Sequence, residues 1–396
     1  MYDAIVVGAR AAGSPTAMLL ARKGHRVLVV DRATFPSDTL STHYVHQPGI
    51  ARLQRWGLLD RLVRTGCPPV RSMRFDVGPF ALAAAPPASD GVAEGYCPRR
   101  TVLDSLLLEA AAEAGAEVRT GVPVDELVLD DGTVAGIRVQ GAEERARVVI
   151  GADGRNSFVA RAVQAPEYDA RPGRTCAYYS YWAGAQTEGA ELFPRDGRMI
   201  ISGPTNDGLQ IVVVFWPHGE FRTVRADVER SFLDAAALAP SLAERLASGE
   251  RVDRFYGIGD LPFWYRRPFG PGWALVGDAG YHKDPVTAQG ITDAFRDAEL
   301  LADALDAGFT GTRPLEEALA AYERVRNEET RGLYELTHDL ASLAAPPPEQ
   351  QSLFGALRDN AEDTARFFGV IAGTVRPDEF FAPDNLARIV GAPVPA

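Results

Sequence analysis

Lysine is almost missing from this chain. Lys23 and Lys283 are the only two among 41 basic residues, so arginine carries nearly all the positive charge. Positive charge is itself outnumbered, because 53 acidic residues bring the formal net charge to -12. That balance excludes a main partner that is nucleic acid or an anionic membrane surface, since both would repel the chain at range. A small-molecule partner is expected instead. Cysteine is equally sparse. Cys67, Cys97 and Cys176 are too few and too scattered for a disulfide framework, and with no C-x-x-C or Cys/His grouping no metal site is expected. No apolar run is long enough to span a membrane, no repeat or low-complexity tract occurs, and "YDAIVVG" begins as a strand rather than a signal peptide. A cytoplasmic protein, monomeric or homodimeric, is the expectation.

What is present starts with "VVGARAAGSPTAMLL". Asp3 to Gly8 reads as a buried strand, Ala11 to Lys23 as a helix ended at Gly24, and "HRVLVVD" as a second strand ending on Asp31. This is the start of a βαβ unit. Gly8 and Gly13 stand at the first and third positions of a G-x-G-x-x-G turn, with Arg10 in the middle slot and Ala12 beside the last glycine. In such a unit the helix N-terminus meets a pyrophosphate, and an acidic residue at the end of the second strand takes a ribose hydroxyl pair. Asp31, followed by Arg32, is placed for that role. Arg10 must keep a negative φ and point outward, from where it could add charge near the phosphates.

Two further segments belong with the first. "PRRTVLDSLLLEAAAEAGAEV" carries Arg100 before an expected capping box, Thr101 with Asp104, and a helix ended at Gly115. "VDELVLDDGTVAGIRVQ" reads as two strands joined at an Asp-Asp-Gly turn, and "ARVVIGADGRNSFVAR" runs a strand into a helix through Asp153 and Gly154. Far downstream, "WALVGDAGYHKDPVTAQGITDAF" reads as a strand from Trp273 to Gly277, then Asp278, a loop with Pro285, and Gly290 opening a long helix.

With these three motifs in this order, residues 1 to about 305 resemble the class A FAD-dependent monooxygenases, the para-hydroxybenzoate hydroxylase-like family. The resemblance implies an α/β fold: a Rossmann-type FAD-binding domain (1–68, 97–168 and 268–305) interleaved with a β-sheet substrate domain (69–96 and 169–267), plus C-terminal helices (306–396). It implies FAD as cofactor and NAD(P)H as transient reductant. Asp31 would hold the adenosine ribose, Arg100 the ribityl or phosphate region, and Asp278, as a buried carboxylate, a ribityl hydroxyl. Gly290 and Ile291 would present a positive helix end to the flavin, Thr42, His43 and Tyr44 would wrap it, and Asp153, Gly277 and Pro285 complete the expected cofactor set. Departures from the family are Tyr281 for a common histidine and Thr287-Ala288 for a frequent Gly-Gly. "PVTAQG" is close to the "PLTGEG" of geranylgeranyl reductases, but their Y-x-W-x-F-P segment has no counterpart. The W-x-W-x-I-P signature and nearby lysine of flavin-dependent halogenases are missing too.

"TCAYYSYWAG", "GRMIISG" and "LQIVVVFWP" should form a sheet over the flavin's reactive face. Candidate substrate contacts are Tyr181, Trp182, Phe215, Trp216 and His218, although alternation turns only one face of a strand toward any pocket. His43, Lys283 and Pro285 are the candidate catalytic residues. His43 and Lys283 each have a structural alternative: a hydrogen-bonded histidine and a surface lysine. The function expected is FAD-dependent hydroxylation of an electron-rich aromatic or polycyclic small molecule, such as secondary metabolism supplies, through a C4a-(hydro)peroxyflavin. The alternative is a reductase or dehydrogenase of the geranylgeranyl reductase type. A non-enzymatic redox sensor is a third possibility.

Overall fold

The computed structural model describes residues 1–391; the last five residues of the C-terminal region lie outside the described residues. The first sheet is built on parallel strands. Tyr2–Val7 lies between Ala142–Gly151 and Val27–Asp31, with Glu117–Thr120 outside the latter and Trp273–Leu275 beyond the former. Its central strands are continuous apolar runs because both faces are covered. One layer, formed by the helices Gly13–Arg22, Arg100–Glu113 and Gly290–Phe309, shares a core with Val6, Val29 and Ile150. On the opposite face, Ile5, Val30 and Val149 pack with Ile137 and Val159 from the hairpin and short helix between the motifs.

The second sheet is antiparallel except where Met73–Asp76 joins Ala190–Arg195. From that pair it continues through Arg198–Pro204 and Gln210–Pro217 to Thr175–Ala183. Strand alternation sorts its aromatic residues. Tyr179, Tyr181, Ile211, Val213 and Phe215 face one core, whereas Tyr178, Trp182, Val212, Val214 and Trp216 face another, beneath the helices Val228–Ala236 and Pro240–Ser248.

A small third sheet ties the two domains, pairing Phe263–Arg266 with Glu167–Arg171 on one side and Tyr281–His282 on the other. Past Gly290–Phe309, the helix Leu315–Leu340 begins in the nucleotide-domain core, through Ala318, Leu319 and Tyr322, and reaches the substrate-sheet core at Tyr334. The helices Pro348–Leu357 and Ala361–Ala372 then close over the inner face of that sheet, adding Leu353, Phe354, Phe367 and Phe368 to its core. The C-terminal helices thus complete the substrate domain.

Candidate active site

The dinucleotide turn and the Gly277-Asp278 turn are packed so closely that side chains are excluded. A Cβ on Gly13 would lie 1.8 Å from the Gly8 carbonyl oxygen, and one on Gly277, at φ +61°, would lie 2.7 Å from the Ala12 Cβ. The helix Gly13–Arg22 starts at this junction with no side-chain cap on Ala12, leaving its first N–H groups without a side-chain acceptor. Asp31 closes the turn from the next strand, accepting from the Ala9 N–H at 2.7 Å and the Ala33 N–H at 2.8 Å. Arg32 beside it is exposed.

Arg10 is not among the left-handed residues and points away from the helix start. Its guanidinium donates to Asp104 at 2.6 Å and to the Ser37 hydroxyl at 2.9 Å, and lies 5.1 Å from the Phe35 ring centroid. Asp104 is wholly buried and its other oxygen accepts from Arg100 at 2.9 and 3.1 Å. One carboxylate therefore joins the turn to the helix that carries the second arginine. This overturns the capping box expected from Thr101 and Asp104. The helix begins at Arg100 with no side-chain cap, because two guanidinium groups hold Asp104 more strongly than a neutral N–H would.

In the following helix, Phe158–Ala162, Ser157 is the cap, accepting from the Ala160 N–H at 2.9 Å; Asp153 adds an acceptor for the Phe158 N–H at 2.6 Å, while its other oxygen is buried without a partner. Burial raises its pKa. Asp278 differs from expectation: it is exposed rather than buried, and no hydrogen bond ties it to the described residues. The one-turn helix Gly277–Ala279 has no interior that could enclose it. Gly290 is likewise exposed, with open space where a Cβ would stand and no side-chain cap on Gln289, while Ile291 behind it is buried. Pro285 opens the short turn Pro285–Thr287 and is half-buried.

His43 stands at φ +64°, fully buried, with Nε2 hydrogen-bonded to the Tyr181 hydroxyl and Nδ1 without a partner. Burial, then the Arg100 and Arg99 charges, holds its pKa well below the usual histidine range, so it is neutral. Arg99 lies over the Tyr181 ring at 4.6 Å. His46 is the second neutral imidazole. Burial lowers its pKa to about 4, and its Nε2 donates to the Thr287 carbonyl at 3.1 Å, leaving an unpartnered Nδ1 as acceptor.

His46, Thr42 and Tyr44 line a cavity of about 40 Å³ against the inner face of the substrate sheet. Its other walls are apolar: Met73, Leu192, Ile201, Ile211 and Val213 from the strands, Val286 and Ala288 from the Pro285 loop, and Ile371 from the C-terminal helix. Gln289 pins that helix by donating to the Ile371 carbonyl at 2.6 Å. Tyr181 and Phe215 share the sheet's inner face with this cavity. Trp182 and Trp216 do not; they are on the far face, stacked with Phe232 and tilted against it, because even and odd positions of a strand point oppositely. His218 is exposed in a turn past the strand end. Lys283 is neither at the surface nor open to a ligand: it is buried, ion-paired with Asp293 and donating to the Tyr281 hydroxyl at 3.0 Å. Burial opposes ionisation of Asp293, yet Lys283 and Arg296 hold its pKa below the usual value. The inward positions of Ala190–Arg195 and the role of Ile371 escaped the sequence reading. Alternation in "AELFPR" was a faint signal for the former; nothing local marked the latter.

These features suit a dinucleotide cofactor: a Cβ-free turn, two helix starts without side-chain caps and an unpartnered carboxylate at Asp278. Fold and site together define an FAD-binding flavoenzyme with the para-hydroxybenzoate hydroxylase-like fold. A family model described as "FAD binding domain" matches residues 1–337, and the chain belongs to that family. Digeranylgeranylglycerophospholipid reductase 1 of Methanopyrus kandleri is 25% identical over 390 residues, spanning 93% of this chain and 98% of that protein. Protein FixC of Escherichia coli is 35% identical over 171 residues, 40% of this chain and 38% of its own length. Among solved structures, PqsL of Pseudomonas aeruginosa, described as a probable FAD-dependent monooxygenase, is 26% identical with a TM-score of 0.73, covering 93% of this chain and 99% of that one. A myxobacterial chondrochloren halogenase shares the fold at TM-score 0.79 and 22% identity, over 100% and 98% of the two chains. No helix among the described residues is long and apolar enough to cross a membrane.

Proposed function

We propose that this protein is an NAD(P)H-consuming monooxygenase that hydroxylates an electron-rich aromatic small molecule. The observation carrying the reading is the mostly apolar cavity between the Thr42–His46 loop, the Pro285 loop and the substrate sheet, a lining that disfavours water. FAD, when bound, supplies two-electron chemistry with the nicotinamide and activation of O₂. Gly8, Ala12, Gly13 and the helix start behind them would hold its pyrophosphate, with Arg10 and Arg100 adding positive charge from outside. Asp31 retains lone pairs for the ribose beyond the two it gives to N–H groups. Asp278 would take a ribityl hydroxyl, Thr42 would border the ring system, and the uncapped start at Gly290 and Ile291 would favour negative charge on the flavin's pyrimidine edge. His46 would accept a hydrogen bond from a substrate O–H or N–H, and Ile371 would shut the cavity from solvent.

The likeness to PqsL supports oxygenation. Halogenation is disfavoured by the lysines, since Lys283 is held by Asp293 and Lys23 by Asp303 and Asp306. A second reading, reduction of a prenyl chain, is favoured by the full-length likeness to the archaeal reductases. The two are separated by supplying ¹⁸O₂ and NADH or NADPH to the flavin-loaded enzyme with hydroxylated and aminated aromatics, beginning with 2-aminobenzoylacetate, a molecule with which PqsL forms a complex. A product carrying one ¹⁸O atom is expected. Geranylgeranyl lipids gaining two hydrogens without O₂ consumption would overturn the reading.

A further inference from the structure

The inner cavity of about 40 Å³ takes only one end of an elongated molecule, whereas a groove of about 610 Å³ opens on the same side of the molecule's substrate sheet. The two adjoin along the strands. Ile201 lines the cavity and Met199, two residues earlier on the same strand and about 7 Å away on the same face, lines the groove. Leu192 and Pro194 repeat the step on the next strand, and Met73 and Phe75 on the one after. The covering helix keeps pace: Ile371 lies over the cavity, and Phe367, one turn earlier, packs on Phe75 and Phe354 of the groove wall.

At this boundary three rings meet edge to face. Phe75 is 5.4 Å from Phe354 and 5.6 Å from Phe367, and those two are 5.8 Å apart. Phe75 and Phe354 line the groove beside the stretch of sheet that it shares with the cavity. The groove is apolar inside, with Met199, Leu340 and Leu343, and its lining carries both signs equally, Arg174, Arg195 and Arg198 against Glu335, Asp339 and Asp378, which selects no net charge.

We propose that groove, aromatic trio and inner cavity form one substrate channel, which takes an elongated neutral molecule: the reacting end inside, and an apolar chain passing the three rings into the groove. This rests on the inner cavity being the substrate end of the site. Binding of 1-alkanols from butanol to decanol to the FAD-loaded protein, measured by calorimetry, tests it without requiring turnover. Affinity should rise roughly fourfold per methylene through the whole series. Leu340→Trp, at a half-buried groove position, should weaken octanol and decanol at least tenfold while leaving butanol unchanged; Ile201→Phe should weaken every member. Phe354→Ala should raise the association rate of decanol. A rise that stops by hexanol, or a Leu340→Trp effect equal for all lengths or absent, would overturn the channel. Those results would leave the ¹⁸O₂ outcome untouched, so the two proposals fail separately.

Discussion

At the scale of single residues, two carboxylates of the cofactor region have opposite relations to the protein. Asp31 accepts two backbone N–H groups, including that of the fully buried Ala9, whereas Asp278 accepts none from the described residues. Asp278→Ala should therefore leave the melting temperature of the flavin-free protein unchanged and weaken FAD by about 1–3 kcal/mol, the scale of a lost hydrogen bond to a charged group. Asp31→Ala should lower both, because it strands a buried donor. Flavin titration and apoprotein melting of the two variants check this contrast. Asp104 is a third case. Removing Arg10 leaves that carboxylate paired with Arg100, but Asp104→Ala leaves two guanidinium groups without their shared partner. We expect Asp104→Ala to cost about 3–5 kcal/mol in denaturant unfolding, and Arg10→Gly much less, since the Arg10 side chain is partly exposed. A larger loss in Arg10→Gly would show that the Ser37 contacts, not Asp104, hold the turn.

At the scale of elements, the loop from Tyr281 to Gln289 is fastened at several points. Lys283 ties it to the Gly290–Phe309 helix through Asp293, and Asp284 caps its short turn at the Val286 N–H while accepting from the Thr175 hydroxyl of the substrate sheet. Asp284 is fully buried and forms no ion pair with the described residues, since the neighbouring Lys283 is turned to Asp293, and burial pushes its pKa up to about 7. The unfolded chain releases that proton near pH 4, so between about pH 4 and 7 the folded state holds a proton that the unfolded state has lost. Stability falls as pH rises through this window and levels above it. Asp284→Asn, which does not titrate, should gain on the unmodified protein by up to a few kcal/mol between pH 5 and 7, and no further at pH 8. Urea unfolding at those pH values reads the difference; a constant difference would mean that Asp284 is ionised throughout.

For the whole molecule, the decisive fact is that the walls of the inner cavity come from distant pieces of the chain. Ile371 reaches it from a helix more than sixty positions beyond Gly290, and Phe367 of the same helix is buried against Phe75, Phe354 and Phe380. Phe367→Ala should cost about 3–5 kcal/mol of unfolding free energy, as for a large core truncation. The nucleotide domain has its own core, so flavin retained by the native variant should be unaffected. Loss of FAD at native conditions would show that the C-terminal helices also hold the cofactor.

Sequence alone determined the parts governed by near-neighbour rules. The strand and helix around Gly8 to Asp31 follow from hydrophobic run, glycine spacing and a terminal aspartate, and the helix start at Gly290 was readable in the same way. The alternation of "TCAYYSYWAG" stated that Tyr181 and Trp182 must part company, but not which would face the pocket. That choice belongs to the helices covering the opposite face, which no pattern within the strand encodes. Asp104 was legible as a helix cap but is held by Arg10, 94 positions away, because a buried carboxylate takes the strongest donors in reach, whatever their place in the chain. Lys283 was noticed for its rarity, and only packing against Asp293 made that charge internal. The wall at Ile371 is the limiting case: an ordinary apolar residue in an amphipathic helix becomes part of the site solely because the folded chain returns there.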